Sequence, residues 1–274
     1  MIPVFANSAT VRAREALLMR GGRRTPVDLQ VRFGLIVHPT VGPVLIDTGY
    51  TRETVTGPRS RALSLYARTL APRLIEAGQP AAVLARHGLR PADVACIILT
   101  HFHADHVSGL AQFPNARIIA CDRAYAAIAR RSAVANIRHG IFPELLPDDL
   151  ATRLTGFATL PRAQTALPGG LMARDDVFGD GSLLTVDLPG HAEGHVGLYF
   201  PQLDTPLLYA TDTQWLLAAL APDRAPGFPA TLIADNTAAA RRTTAAVRAF
   251  QDTGGQVMLC HDPHPAPYDM ELTS

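Results

Sequence analysis

The sequence predicts an α+β domain built from two β-sheets with helices on their outer faces. Three observations lead there. Apolar runs of strand length recur in both halves of the chain, at 31–37, 44–46, 94–99, 116–121, 183–188, 196–200, 207–210 and 256–260. Helical stretches lie after and between these runs in each half, so each half supplies a sheet and its cover. No low-complexity linker and no internal repeat separates the halves, so residues 1–274 read as a single domain.

The elements follow in order. Val31 to Val37 is apolar-rich, and Val44-Leu45-Ile46 ends in Asp47-Thr48-Gly49, a turn signal. Residues 60–88 have helical composition, with apolar positions at Leu63, Tyr66, Leu70, Leu74 and Ile75, and are broken by Pro72 and by Gly78-Gln79-Pro80. Pro91-Ala92-Asp93 leads into the strand 94–99. Ala116 to Cys121 is a further strand, and Asp122 is placed to cap a helix over 123–131. Residues 132–180 are the least regular part and read as a lid-like excursion holding a short helix or two. Strands return at 183–188, 196–200 and 207–210. A helix is predicted over Thr237 to Phe250, with Asn236 as N-cap and Gly254-Gly255 beyond its end, before the last strand, 256–260.

Composition narrows the function classes. A net charge of +1 gives no electrostatic case for nucleic acid or an anionic membrane. All 25 basic residues are arginine. The three cysteines, Cys96, Cys121 and Cys260, sit in or beside apolar runs and read as reduced, buried thiols. Met1 to Thr10 carries no secretory pattern, and no apolar segment approaches the roughly 20 residues of a spanning helix. The expectation is a soluble, cytoplasmic protein acting on a small molecule.

The chemistry is concentrated in Thr100-His101-Phe102-His103-Ala104-Asp105-His106, directly after the apolar run 94–99. Imidazole nitrogen and carboxylate oxygen suit zinc and its first-row neighbours. In an extended stretch His101 and His103 point the same way, so one metal can take the pair. A turn after Ala104 then lets Asp105 and His106 face a second. Three later strand ends carry the same residue types: His191 after Pro189-Gly190, Asp212 after Leu208 to Thr211, and His261 after Met258 to Cys260. Strand ends are stiff enough to hold metal ligands. His195 reads as a core or supporting histidine, and Asp47 as a carboxylate holding a ligand histidine or the turn. His38, His87 and His139 read as surface or loop residues.

At these positions the chain resembles the metallo-β-lactamase superfamily. Its HxHxDH motif is matched in full by His101, His103, Asp105 and His106, and its later ligand positions by His191, Asp212 and His261. The resemblance runs from the Leu45–Gly49 segment to His261. It implies a four-layer αββα sandwich with the site along one edge of the two sheets. It further implies two divalent metal ions, zinc by expectation: one held by His101, His103 and His191, the other by Asp105, His106 and His261, with Asp212 bridging. A metal-bridging hydroxide is then the nucleophile, and Asp105 orients it and passes a proton to the leaving group.

Within the superfamily the chain is most similar to the lactonase-like group and the related organophosphate hydrolases, through its seven-ligand set and its His261-Asp262 pair. The implied reaction is the opening of a lactone or ester of a hydrophobic small molecule. Organophosphate triester and β-lactam hydrolysis are the alternatives on the same site. A mononuclear iron redox enzyme ranks lower, because Asp105, His106 and His261 are all present. In the quorum-quenching lactonases a tyrosine lies three residues after the bridging aspartate; here that residue is Trp215, whose indole donates a hydrogen bond but cannot accept one. Trp215, Phe142 and His264 are the candidate substrate contacts, and Phe157, Leu171, Met172 and Phe178 offer further apolar surface in the excursion. Dimers are common in the resembled group, which makes a homodimer a candidate assembly.

Overall fold

The structure is a computed structural model describing residues 1–228 and 230–272. The chain groups into two compact units. One contains Ile2–Arg12, Gln30–Gly156 and the C-terminal stretch from Pro265; the other contains Ala13–Leu29 and Phe157–His264. Each has its own sheet and core.

The unit holding the histidine-rich motif is built on seven strands: β1 (Val4–Arg14), β2 (Pro26–His38), β3 (Gly42–Ile46), β4 (Arg73–Leu74), β5 (Cys96–Ile98), β6 (Arg117–Ala120) and β7 (Leu154–Gly156). Their order is β4-β1-β2-β3-β5-β6-β7. The far ends of β1 and β2 group with the other unit. β3, β5, β6 and β7 pair in parallel, and β2 pairs with β3 antiparallel. A central parallel strand is covered on both faces, which is why β5 is an unbroken buried run, Cys96-Ile97-Ile98. The core joins Val31, Phe33 and Leu45 to Ile97, Leu99, Ile118 and Leu150.

Most elements of this unit lie where the sequence predicts them. The helix Arg61–Leu70 is capped by Ser60, whose Oγ accepts from the Leu63 N–H at 3.1 Å, and it ends at Ala71 before Pro72. The helix Pro80–Arg86 begins on its proline, whose fixed φ suits that position. Asp122 is corrected: it is the first residue of the helix Asp122–Arg130, and Cys121 occupies the cap position without a side-chain bond. β1 is an element the sequence does not announce. Its inward positions include Ser8, whose Oγ donates to Val31 O and accepts from Tyr50 N, both at 2.9 Å. Its partners, not its hydropathy, make it a strand. His38 is also corrected, from surface to buried; its Nδ1 accepts from the Val41 N–H at 3.2 Å.

The other unit is built on six strands: β8 (Arg162–Ala166), β9 (Met172–Asp176), β10 (Leu184–Asp187), β11 (Val196–Phe200), β12 (Leu207–Tyr209) and β13 (Gln256–Met258), in the order β13-β12-β11-β10-β9-β8. All pairs are antiparallel except β12–β13. The helix Thr237–Asp252 covers this sheet, with Val247 and Phe250 in the core beside Leu188, Leu208 and Leu259. Asn236 caps it, accepting from the Ala239 N–H at 3.0 Å.

The stretch 132–180 is more regular than its sequence suggests. It contains the helix Ala133–Arg138 and the strands β7, β8 and β9. β8 reads Arg-Ala-Gln-Thr-Ala and β9 Met-Ala-Arg-Asp-Asp, too polar for a hydropathy signal. β8 is the edge strand and β9 its neighbour, and Arg162 pairs with Asp175 across them at 2.5 Å. Among the described residues no disulfide joins the three cysteines; Cys96 and Cys260 are buried and Cys121 is partly so. Among the described residues no helix is long and apolar enough to cross a membrane.

Candidate metal centre

Asp47 organises the histidine-rich half of the site. It follows β3 with φ +58°, a left-handed conformation that aspartate tolerates better than most residues. Its carboxylate is fully buried and takes three donors: Thr100 N–H at 2.9 Å, Thr100 Oγ1–H at 2.8 Å and His106 Nδ1–H at 2.8 Å. Burial pushes the Asp47 carboxyl above its ordinary range, opposed by the charge and hydrogen bond of His106 and the bonds from Thr100. Three donors on two oxygens are the environment of an ionised carboxylate.

That arrangement sets the histidine tautomers. With Nδ1–H given to Asp47, His106 carries its lone pair on Nε2. Thr100 Oγ1, its own proton given to Asp47, accepts from His101 Nδ1–H at 3.1 Å, which puts the His101 lone pair on Nε2 as well. A carboxylate held to the far nitrogen of a ligating imidazole fixes the ring and raises its basicity. The rings gather accordingly: His101 lies 4.5 Å from His103 and 4.0 Å from His106, centroid to centroid. His103 precedes a single helical turn, Ala104–Val107, that brings Asp105 Oδ2 to 3.7 Å from His106 Nε2. All four residues are less than a tenth exposed.

The other half is centred on Asp212, at the end of β12. Its Oδ2 lies 3.1 Å from His261 Nε2 and 3.4 Å from His191 Nε2. The ligand atoms of Asp212, Cys260 and His261 fall within 4.8 Å of one another. Two devices position this group. Gly190 has φ +126°, and a Cβ there would lie 2.1 Å from Ala240 N, so only glycine lets the chain pass the helix and present His191. Thr211 has φ +45°, costly for a β-branched residue. It is held by His195, whose Nδ1–H donates to Leu188 O at 2.8 Å and whose Nε2 accepts from Thr211 Oγ1–H. Thr211 O in turn accepts from Cys260 N–H at 2.9 Å. His195 is thus a supporting histidine, as its position suggests. The parts played by Thr100 and Thr211 have no signal in the sequence beyond adjacency to a ligand.

A cavity of about 60 Å³ opens beside this half. His191, Asp212, Trp215, Ile233 and Arg241 line it. Trp215 therefore stands next to the ligands, its ring partly buried against Leu216 and Ala219. The other two expected contacts are placed differently. Phe142 is 2% exposed in the core of the first unit, its ring 4.8 Å from Tyr66, so packing rather than a ligand takes its surface. The His264 side chain is 83% exposed and bonded through Nδ1 to Asp262 Oδ1 at 2.9 Å, away from the lining. Of the excursion residues, Phe157 and Leu171 are buried, while Met172 is 44% exposed.

The donor set fits a divalent first-row ion. Imidazoles, with His101 and His106 held in a defined tautomer, and buried carboxylates are the ligands such ions take. The Asp47–His106 pair is the support that a ligating histidine ordinarily receives.

Comparison with known proteins agrees with this chemistry. The family profile described as the metallo-beta-lactamase superfamily matches residues 27–250. The N-acyl homoserine lactonase AttM of Azorhizobium caulinodans is 29% identical over 259 residues, covering 91% of this chain and 88% of that protein. In fold, the chain is similar to a single-site variant of Bacillus thuringiensis AiiA, solved with N-decanoyl-L-homoserine at its active site (TM-score 0.69, 18% identity, 96% of this chain and 94% of that one). It is also similar to AidC, a dizinc quorum-quenching lactonase solved with its product (TM-score 0.67, 16% identity, 96% and 88%). The matched span carries six of the seven expected ligands and the residues that orient them, and on that basis the chain belongs to the metallo-β-lactamase superfamily.

Proposed function

We propose that this protein is a metal-dependent hydrolase that opens the ring of a lactone. The observation that carries this is Asp212 between His191 and His261 beside a cavity, in a chain similar over nine-tenths of its length to an N-acyl homoserine lactonase. His101, His103 and His191 hold one divalent ion in this reading. Asp105, His106 and His261 would hold the second, and Asp212 would serve both. Zinc is the ion we assign, because the donors are nitrogen and oxygen and the group's lactonases include a dizinc one. When bound, the ions supply an acidified water and polarise the substrate carbonyl.

The remaining work falls to the chain. Asp47, through His106 directly and His101 by way of Thr100, keeps both imidazoles aimed. His195 and Thr211 do the same for Asp212. Asp105, 3.7 Å from His106, holds a proton at its carboxylate and returns it to the departing ring oxygen. The indole N–H of Trp215 donates to the acyl part of the substrate, where a tyrosine would offer a hydroxyl.

The test is turnover of a panel: an N-acyl homoserine lactone, an aryl ester, a β-lactam and an aryl phosphotriester, each with and without chelator. Chelator-sensitive opening of the lactone above the other three is expected. Asp212→Ala removes it while leaving the circular dichroism spectrum in place. Preferred turnover of the phosphotriester would replace lactone with phosphotriester as the substrate class.

A further inference from the structure

The cavity beside Asp212 is small, and it carries a cation. At about 60 Å³ it holds roughly four or five water-sized spheres. A drug-sized ligand needs some 300 Å³ or more. The space suits an arm of a few heavy atoms, and a long acyl chain would run out of it into solvent. Its walls are largely apolar, from Trp215, Ala225, Pro226 and Ile233.

Thr213, Gln214, Thr231 and Thr237 add neutral polar groups, and Arg241 is the one arginine in the lining. It lies in the second turn of the helix Thr237–Asp252, and it lines the cavity together with His191 and Asp212. Elsewhere on that helix an arginine has a partner four residues on: Arg248 Nε donates to Asp252 at 2.7 Å. Four residues beyond Arg241 stands Ala245, and among the described residues Arg241 has no ion pair. Asp235, the carboxylate next to the lining in sequence, is turned to the Glu193 N–H at 2.7 Å. The cavity thus pairs a small, largely apolar space with one guanidinium that is ion-paired to no carboxylate among the described residues. A guanidinium recognises a carboxylate through two parallel hydrogen bonds.

We propose that Arg241 determines specificity: the substrate's non-reacting arm is short and ends in a carboxylate, and Arg241 binds that end while the lactone carbonyl lies at the metal ligands. This rests on the lactonase reading above and narrows it. The arm is polar at its tip, unlike the long alkyl chain of N-decanoyl-L-homoserine bound to AiiA.

The test uses a matched pair on the zinc-loaded enzyme, N-butanoyl homoserine lactone and N-(3-carboxypropanoyl) homoserine lactone, which differ by a methyl against a carboxylate. The wild-type protein should favour the carboxylate lactone about tenfold in kcat/KM, mostly through KM, the worth of one charge-assisted hydrogen bond at a partly exposed site. Arg241→Gln should bring the ratio near one, and Arg241→Lys should restore part of it. A wild-type ratio of one or below, or a ratio unmoved by Arg241→Gln, overturns the proposal. Calorimetric binding of the two ring-opened products separates this failure from that of the lactonase reading. A tenfold preference for the carboxylate product that vanishes in Arg241→Gln supports the arginine's role even without lactone turnover. Equal affinities in both proteins refute it.

Discussion

Replacing Asp47 with asparagine tests how the histidines are held. The backbone is undisturbed, because asparagine also tolerates φ +58°. The hydrogen bonds are not. Asp47 receives Thr100 N–H on Oδ1, and both Thr100 Oγ1–H and His106 Nδ1–H on Oδ2. An amide offers one oxygen. If it faces His106, the NH2 group meets the Thr100 N–H. If it faces Thr100 N–H, the NH2 group meets His106 Nδ1–H. Either way a buried donor loses its acceptor, at a cost of about 1–3 kcal/mol. Removing a buried charge offsets part of this, since burial already disfavours the Asp47 carboxylate. The metal-free protein should therefore lose no more than about 2 kcal/mol in urea unfolding. Metal affinity is the sharper measure. His106 either loses its support or swaps tautomer and turns an N–H toward the ion, and loss of such a partner ordinarily costs 10–100-fold in affinity. Chelator competition should show one of two bound equivalents weakened by that factor. Two equivalents retained at wild-type affinity would refute the role assigned to Asp47.

Other outcomes follow from single contacts. Gly190→Ala places a methyl 2.1 Å from Ala240 N and forces a positive φ on alanine, so thermal unfolding should show a loss of at least about 2 kcal/mol. Asn236→Ala removes the N-cap of the helix Thr237–Asp252 and should cost about 1 kcal/mol in the same measurement, with the metal content intact. Burial pushes the Cys96 thiol up to about 11 from 9.0, against a smaller lowering by Arg117. Its folded pKa is raised, so the stabilisation is complete below the unfolded value and is lost as pH rises from about 9 through 11. The loss should approach about 2–3 kcal/mol, and Cys96→Ala should flatten that part of the stability–pH curve. His195→Ala frees Thr211 from its positive φ; a fall in metal affinity together with stability is expected, and an unchanged affinity would dissociate Thr211 from the placing of Asp212.

Local pattern was enough for much of this protein. The apolar runs at β3, β5, β6, β10, β11 and β12 are readable because buried strands need continuous or alternating hydrophobic side chains. The helix Thr237–Asp252 is readable from its cap and its closing glycines. The seven candidate ligands stand out because they follow such runs: the cluster His101 to His106 after 94–99, and His191, Asp212 and His261 after later ones. Tertiary structure decided the rest. Asp47 meets Thr100 and His106 across 53 and 59 residues of chain, a separation at which no local pattern operates. β1, β8 and β9 are strands because neighbouring strands satisfy their backbone, not because their side chains are apolar. The same is true of the aromatic and histidine side chains. Phe142 and His264 have the composition of a pocket lining, but packing took one and solvent the other. Arg241 was indistinguishable from the other arginines until the fold set it beside Asp212 with no carboxylate of its own.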